Sequence, residues 1–109
     1  MSEANETTQS TNSASSNSNY RLPQGVTLQH CAKLGILEDK PIMFDYWTAS
    51  CDNDVIIGVR ENGEKLLVKS ADEYTSPIAK IYKVETEYII ITENSVYVVS
   101  ADISTKRVS

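Results

Sequence analysis

The chain has a single histidine, His30, which is followed directly by Cys31, and its second cysteine is Cys51. A thiol beside an imidazole is an arrangement that nucleophilic catalysis uses. Neighbouring side chains on a helix point about 100 degrees apart, so His30 and Cys31 would not face each other in the helix predicted below. Cys31 is better explained as a small apolar side chain on the inner face of that helix.

Five carboxylates are candidate members of an acid–base pair: Asp45, Asp52, Asp54, Asp72 and Glu73. A catalytic pair needs two environments that separate the pKa values of its members. Four of the five lie in polar turns, where solvated turn structures are the usual explanation. Asp45 interrupts an apolar run. It is either a carboxylate on an edge strand that points to water, or an acid that is buried or faces a partner. We predict no catalytic residue, and therefore no enzyme.

Metal and cofactor sites also lack their usual residues. His30, Cys31 and Cys51 offer three ligands but no CxxC pair. Residues 52–54 open like a calcium loop, but Ile56 and Ile57 stand where a ligand and a glycine belong. The glycines form no phosphate-binding cluster. We predict no metal and no cofactor.

Charge and hydropathy limit the partners and the location. Fifteen acidic and ten basic residues produce a net charge of -5, which argues against nucleic acid as a partner. Basic and aromatic residues alternate once, in 80–83. A solvated strand edge lined by Lys80 and Lys83 is the main interpretation, and single-strand binding by a small barrel is the minor alternative. Without an apolar run of about 18 residues or a secretory signal, we expect a soluble intracellular protein that is not in a membrane. Free thiols are favoured there, although a Cys31–Cys51 bridge stays open.

The composition divides the chain into an arm and a body. Residues 1–19 contain six Ser, four Asn and three Thr, with Glu3 and Glu6 as the only charged side chains. Such a segment cannot bury enough apolar surface to offset an ordering cost of about 1–2 kcal/mol per residue. We therefore expect a disordered arm over residues 1–19 and one compact β-domain over residues 20–109.

The body begins with the pattern of one short helix. Thr27 is a suitable N-cap, apolar residues recur within 28–34, and Gly35 suits the left-handed position after a helix. Beyond Pro41 there are six short apolar runs separated by polar turns, at 42–47, 55–59, 66–68, 78–84, 88–91 and 95–99. This spacing predicts a mainly β protein, an antiparallel meander that closes into a small barrel or a sandwich.

Asn62-Gly63 predicts a hairpin between the second and third of these strands. A two-residue turn would place Arg60 opposite Lys65, which is a pair of like charge. A loop that is longer by one residue, with Gly63 left-handed in a bulge, places Arg60 opposite Glu64 instead. Because like charges opposite each other are destabilising, the bulged turn is favoured.

Two of the predicted strands, 88–91 and 96–99, are apolar on both faces, whereas a half-solvated strand alternates apolar with polar residues. A small barrel has one interior, so the outer face needs a cover. The helix, with Ile36 and Leu37, would supply part of it and a partner chain the rest. Tyrosine and tryptophan are enriched at binding hot spots. We therefore expect partner-facing anchors among four aromatic residues: Tyr46, Trp47, Tyr88 and Tyr97.

These features favour a non-enzymatic protein–protein binding or assembly module. A protein partner or self-association is expected. A structural or accessory subunit of a larger particle, such as a virus capsid, is one specific form of this hypothesis. A carrier that holds a small ligand in the barrel interior is the alternative, and it requires a cavity rather than a packed core.

Overall fold

In the computed structural model, which describes residues 21–108, the first element is helix α1, Gly25–Glu38. Its buried residues, Thr27, Cys31 and Gly35, recur every four positions and therefore lie on one face. Gly35 lies inside the helix, where a Cβ would come within 3.0 Å of two atoms of the Ile42 side chain. The glycine therefore serves close packing. The predicted arm, residues 1–19, lies outside the described residues.

Both predicted caps of this helix are wrong, because Thr27 and Gly35 lie within it. The N-cap is Gln24, whose N–H donates to both carboxylate oxygens of Glu87, at 3.0 and 3.2 Å. A carboxylate interacts favourably with the exposed N–H groups of a helix N-terminus. At the other end, Asp39 takes the left-handed conformation with φ 56°. The helix start therefore depends on a distant residue, which the local sequence pattern does not contain.

The structure has eight strands and a second helix in residues 21–108, so the mainly β prediction is confirmed. The elements after α1 are β1 (Ile42–Met43), α2 (Trp47–Cys51), β2 (Ile56–Val59), β3 (Lys65–Ser70), β4 (Glu73–Tyr74), β5 (Ile78–Val84), β6 (Glu87–Thr92), β7 (Val96–Ser100) and β8 (Ser104–Arg107). The predicted number of six strands is wrong, since β4 and β8 were missed. Both are short and polar or exposed, so they leave no apolar pattern in the sequence.

The strands form two four-stranded sheets, with orders β1-β7-β6-β5 in the first sheet and β4-β3-β2-β8 in the second sheet. Each sheet is an antiparallel meander of three consecutive strands plus one strand from elsewhere in the chain, which pairs in parallel. In the first sheet that strand is β1, and in the second sheet it is β8. Both sheets are therefore mixed, and the purely antiparallel prediction is wrong.

The sheets do not close into a barrel, because each retains two edge strands. Instead, the first sheet is the middle layer of the molecule. One of its faces packs on the second sheet through an inter-sheet cluster of Tyr46, Val55, Ile57, Leu67, Ile90, Val99 and Ile103. Its other face packs on the helices through a helix-side cluster of Cys31, Trp47, Ile89, Ile91, Val96 and Val98. A sheet that is apolar on both faces needs two covers, and a barrel interior covers only one.

The predicted strand at 42–47 is present only at Ile42–Met43, and the rest forms a turn and helix α2. A buried serine explains how α2 is held against the first sheet. The Ser50 hydroxyl donates to the Trp47 carbonyl at 2.6 Å and accepts from the Ser100 N–H at 2.9 Å. The first of these hydrogen bonds is local to α2, whereas the bond from Ser100 is a tertiary contact. Tertiary contacts of this kind override the strand preference of Tyr46 and Trp47.

The bulged hairpin between β2 and β3 is confirmed. Gly63 has φ 89°, and its N–H donates to the Arg60 carbonyl at 2.9 Å. The Arg60 N–H donates to the Glu64 carbonyl at 2.8 Å, and the two side chains approach to 3.5 Å. Local turn chemistry and charge pairing were sufficient to predict this register.

Candidate functional site

The four aromatic residues predicted to face a partner lie in or against the core clusters. Tyr46 and Trp47 are each 4% exposed, and the rings of Tyr46 and Tyr97 make an edge-to-face contact with centroids 5.3 Å apart. The Trp47 indole N–H donates to the Arg21 carbonyl. Tyr88 and Tyr97 are partly buried against the inter-sheet cluster. Their burial assigns packing roles to these side chains, and partner binding by them stays a prediction.

The doubly apolar strands β6 and β7 are covered by the chain itself. Their apolar residues on both faces, apart from Tyr88 and Tyr97, are 0% exposed: Ile89, Ile90, Ile91, Val96, Val98 and Val99. Helix α1 supplies part of the cover, as expected, but through Cys31 and Leu34. Ile36 and Leu37 are 80% and 72% exposed. The apolar surplus of these strands therefore no longer requires a partner, and the exposed apolar surface lies elsewhere.

The two cysteines are free thiols, which answers the open question of a bridge. Cys31 is buried, and this burial raises the pKa of its thiol, while His30 is exposed. Burial is also the main cause that raises the pKa of the Cys51 thiol, ahead of a lowering effect from Arg21. A raised pKa reduces the fraction of nucleophilic thiolate. The geometry therefore assigns no activated nucleophile to either position.

The five acids considered from the sequence are all exposed: Asp45, Asp52, Asp54, Asp72 and Glu73. Within residues 21–108, no group of three or more His, Cys, Asp or Glu side chains is placed to hold a metal ion. In the same part of the chain, no helix is long and apolar enough to cross a membrane.

The strand edges differ in how much pairing surface they offer. Strands β1 and β4 have two residues each, and β8 has four exposed polar residues. Short, polar or charged edges of this kind discourage pairing with other chains. Strand β5 is longer, with seven residues, and among the strands of residues 21–108 it pairs only with β6. Its Ile81 and Tyr82, which lie on opposite faces of the strand, are 38% and 39% exposed.

The neighbouring hydrogen bonds show which main-chain groups β5 leaves free. The Val96 N–H donates to the Pro41 carbonyl, just before β1, and therefore points away from β6. Val96 and Ile91, which lie opposite each other, are thus not a hydrogen-bonded pair of β6 and β7. Hydrogen-bonded and non-hydrogen-bonded pairs alternate in an antiparallel ladder. Ile90 therefore bonds toward β7, and Ile81, which lies opposite Ile90, directs its N–H and C=O away from β6. Lys83, two residues further, does the same.

A groove of about 340 Å³ runs beside this edge, between α1 and β5. This α1–β5 groove is lined by His30, Lys33 and Leu34 from the helix and by Tyr82, Lys83 and Val84 from the strand. Ile89, which is 0% exposed, contributes to its apolar floor. The edge and the groove form one surface with apolar contacts, basic side chains and main-chain groups that have no strand partner within residues 21–108.

No protein family model, no curated protein and no solved structure matches this chain.

Sequence reasoning identified part of this surface. It interprets the alternation of basic and aromatic residues at 80–83 as a solvated strand edge, with single-strand binding as the minor alternative. Lys80 and Lys83 are the local signal of this edge, and both are exposed. Sequence reasoning did not group the other five residues of the groove with this segment: His30, Lys33, Leu34, Val84 and Ile89.

Proposed function

We propose that this chain is a non-enzymatic protein-binding module that takes an extended segment of a partner as a strand beside β5. The observation that carries the proposal is the free edge of β5, a seven-residue strand with Ile81 and Tyr82 exposed on its two faces. In strand addition, main-chain hydrogen bonds provide affinity and alternate side-chain pockets provide specificity. An accessory subunit of a larger particle is the form of this proposal in which the partner is a neighbouring subunit.

The outward N–H and C=O groups of Ile81 and Lys83 would bond the added strand. Charged residues on a sheet edge oppose indiscriminate pairing, and Lys80 and Lys83 have this effect on β5. The edge would therefore accept a compatible segment and resist association with unrelated strands. The net charge of -5 favours a protein partner over nucleic acid.

A selection of linear peptides from a random displayed library tests this proposal. We expect bound peptides to slow amide hydrogen exchange at Ile81 and Lys83, because these amides point to the free edge. Ile81→Lys should abolish binding, since it adds a charge where the peptide packs. Lys83→Pro should do the same, because it removes one outward N–H that the β5–β6 ladder does not use.

The matched control is Ile36→Lys, the same change at a residue that is 80% exposed on α1 and does not line the groove. It should leave peptide binding intact. Peptides that protect another surface, or that bind the Ile81→Lys and wild-type proteins equally, would contradict strand addition. So would a selection that enriches no binder.

A second groove, on the outer face of the second sheet, favours small-ligand binding as a second candidate. Its volume is about 610 Å³, within the range of about 300–1,000 Å³ that is typical of ligand sites. Its apolar lining includes Ile56, Val68 and Tyr74. This surface differs from the predicted barrel interior, because the space between the sheets is packed by the inter-sheet cluster.

Titration with a fluorescent apolar dye tests the second candidate. We expect the dye to bind the wild-type protein and to lose affinity for Tyr74→Ala, because Tyr74 lines the groove and is 52% exposed. Tyr82→Ala makes the same change in the α1–β5 groove and should leave dye binding unchanged. Equal loss in both variants would contradict a site on the second sheet.

A further inference from the structure

The lysines near β5 differ in whether their charges are compensated. The Lys80 ammonium lies 3.3 Å from a carboxylate oxygen of Glu38, whose other oxygen lies 3.9 Å from the Lys40 ammonium. Lys33 and Lys83 have no ion-pair partner among residues 21–108. Both border the α1–β5 groove, Lys33 from the helix and Lys83 from the strand rim. The groove therefore has two basic side chains whose charges are free to act on a ligand.

None of the residues 21–108 that line the groove has a carboxylate, although the chain has a net charge of -5. Its floor is apolar, since Leu34 and Val84 pack against the helix-side cluster that contains Ile89. The partly exposed Tyr82 side chain lines one side of the groove. It lies on the same face of the sheet as this floor, because Tyr82 is directly opposite Ile89. The site thus combines an apolar floor with a locally positive rim in an otherwise acidic protein.

We infer that the segment added to β5 is acidic, with one large apolar side chain in the α1–β5 groove and carboxylates beside it. This inference rests on the proposed strand addition and names the chemistry of its partner. A peptide side chain opposite Tyr82 lies on the helix side and enters the groove, and residues two positions away share that face. Those positions lie opposite Lys80 and Val84, on the side of the sheet where Lys33 and His30 line the groove. A carboxylate on the other face would meet Lys83.

A second copy of this chain is a poorer occupant. Antiparallel pairing of two β5 strands about a twofold axis brings two Lys80 and two Lys83 residues into the same interface. The strand itself, Ile78–Val84, contains no acidic residue to compensate them. Like charges that lie across neighbouring strands are destabilising. Nucleic acid matches less well, because it has no main chain that pairs with the outward groups of Ile81.

Three synthetic peptides of seven residues test the inference on the full chain. Each has a central Leu, a test residue two positions away on either side, and Thr elsewhere, with Glu, Gln or Lys as the test residue. We expect the Glu peptide to bind about fivefold more tightly than the Gln peptide, and the Lys peptide to bind most weakly. Raising the salt concentration should reduce the difference between the peptides.

Charge reversal at Lys33 provides the sharper measurement. Lys33→Glu should weaken binding of the Glu peptide by about fivefold and strengthen binding of the Lys peptide, because the sign of the rim changes. Lys106→Glu is the matched control, since Lys106 is exposed on β8 and does not line the groove. It should change neither affinity by more than about twofold.

The outcomes separate the two proposals. Equal affinities for the three peptides, all lost in Ile81→Lys, would overturn the acidic partner and leave strand addition supported. Binding of an oligothymidylate that competes with the Glu peptide and is lost in Lys33→Glu would overturn it in favour of nucleic acid. If no peptide of any charge binds in a way that depends on Ile81, both proposals fail.

Discussion

The buried Thr27 hydroxyl lowers the stability of the fold by an amount that a single substitution can measure. Thr27 is 0% exposed, and its Oγ1 has no hydrogen-bond partner among the described residues. An unsatisfied buried hydroxyl costs about 1–3 kcal/mol. We expect Thr27→Val to raise the free energy of unfolding by about 1 kcal/mol, because valine has the same shape without the polar atom. Urea denaturation measures this change.

Thr27→Ser is the matched control, since it keeps the hydroxyl and removes the methyl group. It should lower the free energy of unfolding. A loss of stability in Thr27→Val as well would show that the hydroxyl has a hydrogen-bond partner.

Tyr46 provides the prediction about pH at the scale of one residue. Burial, followed by the nearby charges of Glu73 and Asp45 and by Tyr97, raises the pKa of its phenol from 10.0 to about 12. The folded state therefore favours the neutral phenol. The resulting stabilisation is complete below pH 10.0 and is lost as the pH rises toward about 12.

Spectrophotometric titration at alkaline pH tests this expectation. Tyr46 should be among the last tyrosines to ionise, and Tyr46→Phe should remove one phenol from the highest part of the curve. Its unfolding free energy should also fall less steeply above pH 10.0 than that of the wild-type protein. An unchanged upper part of the titration curve would contradict the assignment.

At the scale of elements, β8 is held by backbone pairing with β2 and by one close contact. The Val108 N–H donates to the Val59 carbonyl at 2.9 Å, and the Val108 side chain lies over Gly58. A Cβ at Gly58 would lie 2.9 Å from Cγ2 of Val108 and 3.0 Å from Cγ2 of Val68. Gly58 is therefore the position on β2 that lets the C-terminal segment pack on the sheet.

We expect Gly58→Ala to lower the free energy of unfolding by about 1–3 kcal/mol, because the added methyl group overpacks this contact. Val108→Ala makes room for that methyl group. The double variant should therefore lose less stability than the sum of the two single variants, as measured by chemical denaturation. Additive losses would show that the Gly58–Val108 contact does not limit the packing.

At the scale of the whole molecule, the first sheet links the two core clusters. Ile90 and Val99 face the second sheet, while Ile89 and Val98 face the helices. A substitution that destabilises the inter-sheet cluster should therefore also destabilise the helix-side cluster. Trp47, the single tryptophan, reports on the helix-side cluster by its fluorescence.

We expect Leu67→Ala to cost about 2–5 kcal/mol, because Leu67 is completely buried in the inter-sheet cluster and the change leaves a cavity. The denaturation midpoints from Trp47 fluorescence and from far-ultraviolet circular dichroism should fall together. A fluorescence midpoint that stays at the wild-type value while the circular dichroism midpoint falls would show that the clusters unfold independently.

Much of the local structure was predictable from the sequence alone. Apolar runs predicted β2, β3, β5, β6 and β7, because burying β-branched and aromatic side chains requires a recurring local pattern. The hairpin at Gly63 followed from turn chemistry and charge pairing. The need for cover on both faces of β6 and β7 was also readable, since no polar residue interrupts either face within 88–91 or 96–99.

The tertiary structure decided which elements pack on each face of β6 and β7, and which strand lies at the edge of its sheet. The polar strand β8 pairs with β2 only because the chain crosses between the sheets after β7. Glu87 sets the start of α1 from 63 residues away. The free edge of β5 and its groove with Lys33 depend on strand order and helix placement. These arise from packing between distant segments, which a pattern of neighbouring residues does not encode.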